Sequence, residues 1–107
     1  MEGIRILFPL QGSTVRHKAI VAIQADHGDK FPQVFVLAHD ELWYKQAPAH
    51  KTISGFYIAN AILGFEENRS GWEYIIVAVR SDVPLDDIIQ KFPDGAEASN
   101  TVKVIRK

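Results

Sequence analysis

Short runs of β-branched, aromatic and aliphatic residues, each closed by a cluster of Gly, Pro, Asn or Asp, recur along this chain at roughly 8 to 12 residue intervals, the rhythm of short strands joined by turns. Ile4, Ile6 and Phe8 alternate with Arg5 and Leu7 before Pro9 and Gln11-Gly12-Ser13-Thr14 end the run. Pro9 lacks a backbone donor and suits an edge position. Residues 18–25 form a second apolar run, closed by Asp26-His27-Gly28-Asp29. Val34-Phe35-Val36-Leu37-Ala38 is unbroken apolar sequence between Pro32 and His39-Asp40, too short for a helix, and predicts a buried central strand.

Residues 42–46 follow across His39-Asp40-Glu41, the length of a hairpin connection. Successive residues on a strand face opposite ways, so one of Trp43 and Tyr44 is expected to face outward. Residues 53–63, with Gly55 and Asn60 among their apolar residues, predict one further strand with a bulge. The polar stretch 66–71 then leads into the strongest strand signal, 72–79, with Tyr74, Ile76 and Ala78 on one face. Val102 and Val104 share a face of the last strand. Leu85, Ile88, Ile89 and Phe92 fall at i, i+3, i+4 and i+7, with Ser81 or Asp82 as caps, Pro84 in the first turn and Pro93-Asp94-Gly95 as the stop. That spacing predicts a short amphipathic helix covering an open end or edge of the sheets. A βαβ protein would need a helix after most strands, so the pattern predicts an all-β antiparallel sandwich of about seven strands, with one short helix before the last and residues 1–107 as one domain.

The order of landmarks resembles a bacterial Ig-like β-sandwich accessory domain family of poorly defined function, found appended to other modules. The residues that carry the resemblance are Ile6, Pro9, Gly12 and Val15, then Trp43, Tyr44 and Gln46, then Gly55, Phe56, Gly64, Gly71 and Tyr74. It spans residues 4–79. The antibody-type cysteine pair is missing, while Tyr74 two residues before Ile76 fits the placement of a tyrosine corner. The resemblance implies an Ig-like fold and a non-catalytic role as a spacer or interaction domain.

Composition removes several function classes. With 47% hydrophobic and 23% charged residues the chain has the balance of a globular domain that folds without disulfides or metal. Its 12 basic residues are scattered through a net charge of −1, so no stripe exists to neutralise phosphates and nucleic acid is not an expected partner. The absence of cysteine excludes a disulfide framework, a thiolate zinc site and a cysteine nucleophile, and leaves the compartment open. Met1-Glu2-Gly3 and Arg5 break any signal-peptide or membrane-spanning pattern. A complete chain of this kind stays cytoplasmic, whereas a module cut from a longer protein follows that protein's own signal out of the cytoplasm.

The candidate chemistry is sparse. His39-Asp40 and His27-Gly28-Asp29 come nearest to metal-ligand spacing, but zinc needs three or four converging ligands and each histidine lies in its own loop or strand end. Asp26, Asp29, Asp40 and Glu41 lack the Asp-x-Asp-x-Asp-Gly run of a calcium loop. Ser13, Ser54, Ser70, Ser81 and Ser99 stand outside any Gly-x-Ser-x-Gly turn. The sequence therefore predicts no catalytic residues, no metal and no cofactor. An exposed aromatic on a sheet face stacks on sugars or anchors a protein, so Trp43 and Tyr44 are the expected contact residues. The reading is a non-catalytic module that contacts a protein partner or adjacent domains, with a carbohydrate-binding module as the rival.

Overall fold

The alternation read from the sequence becomes eleven strands in the computed structural model, which describes residues 3–25, 31–64 and 71–107. They are β1 (Ile4–Phe8), β2 (Thr14–Val15), β3 (Lys18–Ala25), β4 (Gln33–Leu37), β5 (Trp43–Lys45), β6 (His50–Lys51), β7 (Tyr57–Ile62), β8 (Glu73–Arg80), β9 (Ile88–Ile89), β10 (Glu97–Ala98) and β11 (Val102–Arg106). Each of the seven strands expected from the sequence has a counterpart, and the additions are the two-residue pieces β2, β6, β9 and β10. The fold is all-β, with mixed and antiparallel pairing. No helix among the described residues is long and apolar enough to cross a membrane.

One sheet has the order β1-β3-β7-β6 and is antiparallel throughout. The other runs β2-β11-β8-β4-β5-β9, with β10 also on β8, and only β2 against β11 is parallel. Inward residues meet in register on the first sheet, Ala19 opposite Ala61, Val21 opposite Ala59 and Ile23 opposite Tyr57. They share one core cluster with Val34, Val36, Tyr74, Ile76, Ala78, Val102 and Val104 of the second sheet. The chain changes sheets after β1, through the cis peptide Phe8–Pro9 and a turn in which Gly12 has φ 81° and donates to Lys103 C=O at 2.7 Å. A left-handed residue suits glycine there.

The second sheet is buried on both faces along much of β4 and β8, which explains their unbroken apolar runs. Phe35, Val77 and Val79 point away from the shared core into a second cluster with Leu85 and Ile89, flanked by Trp43, Phe92 and Ala96. The rings of Phe35 and Phe92 meet edge to face at 5.1 Å. The cover comes from the segment 81–98, and here the structure corrects the sequence: residues 85–92 form an extended strap, not a helix. Leu85, Ile89 and Phe92 do face the protein, as the spacing required, but Ile88 is 53% exposed. A helix of about eight residues ending before Pro93 would make few internal hydrogen bonds and is marginal without tertiary support, so packing decides between helix and extended chain. Extended chain instead satisfies the edge of β5, where Lys45 N–H donates to Asp87 C=O at 2.8 Å and Trp43 pairs with Ile89.

Where the strap rejoins the sheet, the step from Ala98 to Val102 lies opposite the shorter step from Val79 to Ile76, so one extra residue bulges out. Ser99 secures the bulge: its N–H donates to Ala78 C=O at 2.8 Å, and its Oγ accepts from Ala78 N–H at 2.9 Å. Asn100 then reaches across to the other sheet, where its Oδ1 accepts from Ile6 N–H at 2.8 Å. That bond occupies part of the open edge of β1, a position otherwise available to another strand. Asn100→Ala is expected to cost about 1–3 kcal/mol, because Ile6 is buried and its N–H loses its partner. Hydrogen exchange at the Ile6 amide checks this: protection falls in the variant, and unchanged protection contradicts the assignment.

Candidate functional site

The hairpin turn between β4 and β5 presents the most chemically varied surface among the described residues. Glu41 N–H donates to Ala38 C=O at 3.0 Å and Ala38 N–H to Leu42 C=O at 3.1 Å, with Glu41 at φ 65° closing the turn. Asp40 braces it, since its Oδ1 accepts from Leu42 N–H at 3.1 Å, the local bond that suits Asp to turns. Tyr44 lies two residues further along, opposite Val36, and its hydroxyl donates to Asp40 Oδ2. That bond favours the ionised carboxylate and the protonated phenol. The Tyr44 hydroxyl therefore lowers the Asp40 pKa from its ordinary 3.8, and Asp40 raises that of Tyr44 from 10.0.

The linkage has two signs. The contribution from Asp40 is present above the ordinary carboxylate value and is lost as pH falls through its lowered pKa. That from Tyr44 is present below 10.0 and is lost as pH rises through its raised pKa. Tyr44→Phe is expected to move the Asp40 carboxyl back up toward 3.8. A carboxyl-carbon NMR titration reads this directly, and an Asp40 titration unaltered by the substitution contradicts the bond.

Behind the turn a cleft of about 410 Å³ opens at the margin of the two layers. Val36 and Ala38 of the β4 side, Tyr44 and Gln46 of the β5 side, Ile62 at the end of β7 and Gly64 just beyond it, and Trp72 and Tyr74 at β8 form its walls with His39 and Asp40. Gln46 ties the layers together there: its Oε1 accepts from Ile62 N–H at 2.7 Å, and its Nε2 donates to Tyr44 C=O at 2.9 Å. Gly64 C=O bonds to His17 Nε2 at 2.8 Å. His39 packs on Trp72 with ring centres 4.4 Å apart and planes tilted by 53°, and meets Tyr74 edge on at 5.6 Å. A second cavity of about 460 Å³ at the far end of β4 is walled mainly by Phe31, Pro32, Pro48, Val83 and Pro84, with Asp82 its one ionisable wall residue.

The two aromatics singled out from the sequence part company. Tyr44 lines the cleft, whereas Trp43 lies on the opposite face, packed on Phe92 with ring centres 5.4 Å apart. Both are half-buried. Trp72, at the head of the strand expected over 72–79, and the loop histidine His39 join Tyr44 here. Among the described residues no three His, Asp or Glu groups gather as a metal cluster. His50 lies exposed on β6, and His27, Asp26, Asp29 and Ser70 fall outside the described residues. Ser99 is part of the bulge, Ser13 bonds Leu10 C=O at 2.7 Å, Ser54 meets Thr52 at 3.3 Å, and Ser81 accepts from Val83 N–H at 3.2 Å. Compared with protein-family models, with curated proteins and with solved structures, the chain matches none.

Proposed function

We propose that this chain is a non-catalytic Ig-like β-sandwich module that serves as a spacer or interaction domain within a larger bacterial protein, and that its contact site is the cleft beside the β4–β5 turn. Connectivity supports the fold reading. The order β1-β3-β7-β6 matches the A-B-E-D sheet of an immunoglobulin domain, and β11-β8-β4-β5 matches G-F-C-C′. On that reading the strap 81–98 is an enlarged F–G connection folded back onto the C′ edge. Fold alone says little about function, which has to come from the site.

The observation that carries the site is the concentration of half-exposed aromatic and polar groups around one cavity at the layer margin. Concave surfaces with apolar walls and a few oriented polar groups are where small ligands and partner side chains bury area. The outer face of the second sheet around Phe35, Val77 and Val79 is already covered by the strap. The carbohydrate reading draws on the same place, because Tyr44 and Trp72 offer rings for a sugar, while Trp43 lies on the other face.

A thermal-shift panel of soluble glycans and short peptides tests the reading, run on the native chain and on Ala38→Trp, which fills the cleft from its wall. Ligands that stabilise the native chain are expected to lose their effect in the variant. Shifts that persist unchanged in a folded Ala38→Trp protein place binding elsewhere. A response confined to glycans replaces the protein-interaction role with the sugar-binding one.

A further inference from the structure

Resting on the cleft as a binding site, we infer that its ligand is a methylated ammonium cation of the choline type. Among the described residues of the wall Asp40 is the one carboxylate, and none is a lysine or arginine. The carboxylate is held by two hydrogen bonds, from Leu42 N–H and the Tyr44 hydroxyl, neither of which cancels its charge. The nearest cation along β5, Lys45, faces the other way and pairs with Asp87 at 3.4 Å. A fixed negative charge thus sits beside a cavity whose other described wall residues are mainly aromatic and aliphatic, with His39 and Gln46 among them.

The acceptor supply decides which cation fits. A primary ammonium brings three N–H donors and loses stability if it is buried without acceptors for them. The carbonyls of Ala38 and Gly64 and the amide oxygen of Gln46 each already accept one hydrogen bond, from Glu41, His17 and Ile62, so a primary ammonium would have to share these acceptors or rely on the remaining lone pairs of Asp40 and Tyr44. A quaternary ammonium has no donor to satisfy. Its charge is spread over methyl groups that pack against Tyr44, Trp72 and the aliphatic wall, and aromatic rings attract such cations. A hydrated metal ion would have to shed water for too few oxygen ligands. A free volume near 410 Å³ admits a trimethylammonium group with its short stem.

The test is a pair of NMR titrations of the ¹⁵N-labelled chain, with choline and with its uncharged carbon isostere 3,3-dimethylbutan-1-ol, following the Trp72 indole and the amides of residues 38–46. Choline is expected to shift these signals saturably, with affinity at least about tenfold above that of the isostere. Asp40→Asn, which keeps the oxygen that accepts from Leu42, is expected to remove that advantage while leaving isostere binding in place. Equal affinity for both ligands overturns the cation assignment and leaves the cleft standing as a binding site. Choline shifts centred outside residues 38–46 and 72–74 overturn the assignment and count against the cleft as well. No choline response, when panel ligands still bind in the cleft, overturns the cation assignment alone.

Discussion

Phe35→Ala is expected to lower unfolding stability by about 3–5 kcal/mol, a large part of the roughly 5–15 kcal/mol that holds a domain of this size together. The expectation rests on two-sided burial. Phe35 has no exposed surface although it points away from the core between the sheets, because Phe92 and the strap close over it. Truncation would open a ring-sized void between two layers that cannot collapse without detaching residues 85–92. Denaturant unfolding measures the loss. A cost within about 0.5 kcal/mol, the usual effect of a surface substitution, would mean that the outer face of the second sheet is open to water.

Leu85→Ala and Ile88→Ala form a contrasting pair. Leu85 is buried in the outer cluster and its truncation is expected to cost about 2–5 kcal/mol. Ile88 faces solvent on a two-residue edge strand, and its truncation is expected to cost less than about 1 kcal/mol. A helix with the spacing of Leu85, Ile88, Ile89 and Phe92 would bury both residues and make the two costs similar. Similar losses in the two variants would therefore restore the helix and remove the strap.

That pair also marks where sequence patterns stop being informative. Positions such as Val21 and Ile23, or Tyr74, Ile76 and Ala78, were legible because alternation is a local property and one face of each strand meets the core. The run 34–38 was legible as a central strand for the same reason, since only burial on both faces tolerates unbroken apolar sequence. The strap was misread because burial of residues at i, i+4 and i+7 is compatible with a helix and also with extended chain lying across a sheet. What separates the two is the unsatisfied edge of β5, which no local window contains. The boundary of β7 was placed too early, at residue 53, because the hydrophobic content of Ile53 and Phe56 outweighed the turn signal of Ser54-Gly55.

The site was legible in pieces. Asp40 stood out as a turn acid and Tyr44 as an aromatic needing an outlet. Their bond follows from a hairpin that brings residues four apart to one side. The ring contact of His39 with Trp72 joins segments far apart in sequence, and the Asn100 bridge joins residues 94 positions apart, so neither could be read from neighbours.

The most direct test of the cleft as the functional face is chemical-shift mapping of the ¹⁵N-labelled chain against a chemically diverse set of small fragments. Binding sites attract fragments of many kinds, whatever their natural ligand. The account predicts that perturbations concentrate on the amides of residues 36–46 and 72–74 and on the Trp72 indole, with the amides of β1 and β3 unmoved. Perturbations concentrated on the outer face of the first sheet, at Ile20, Ile58 and Asn60, with the turn around Asp40 silent, would contradict it.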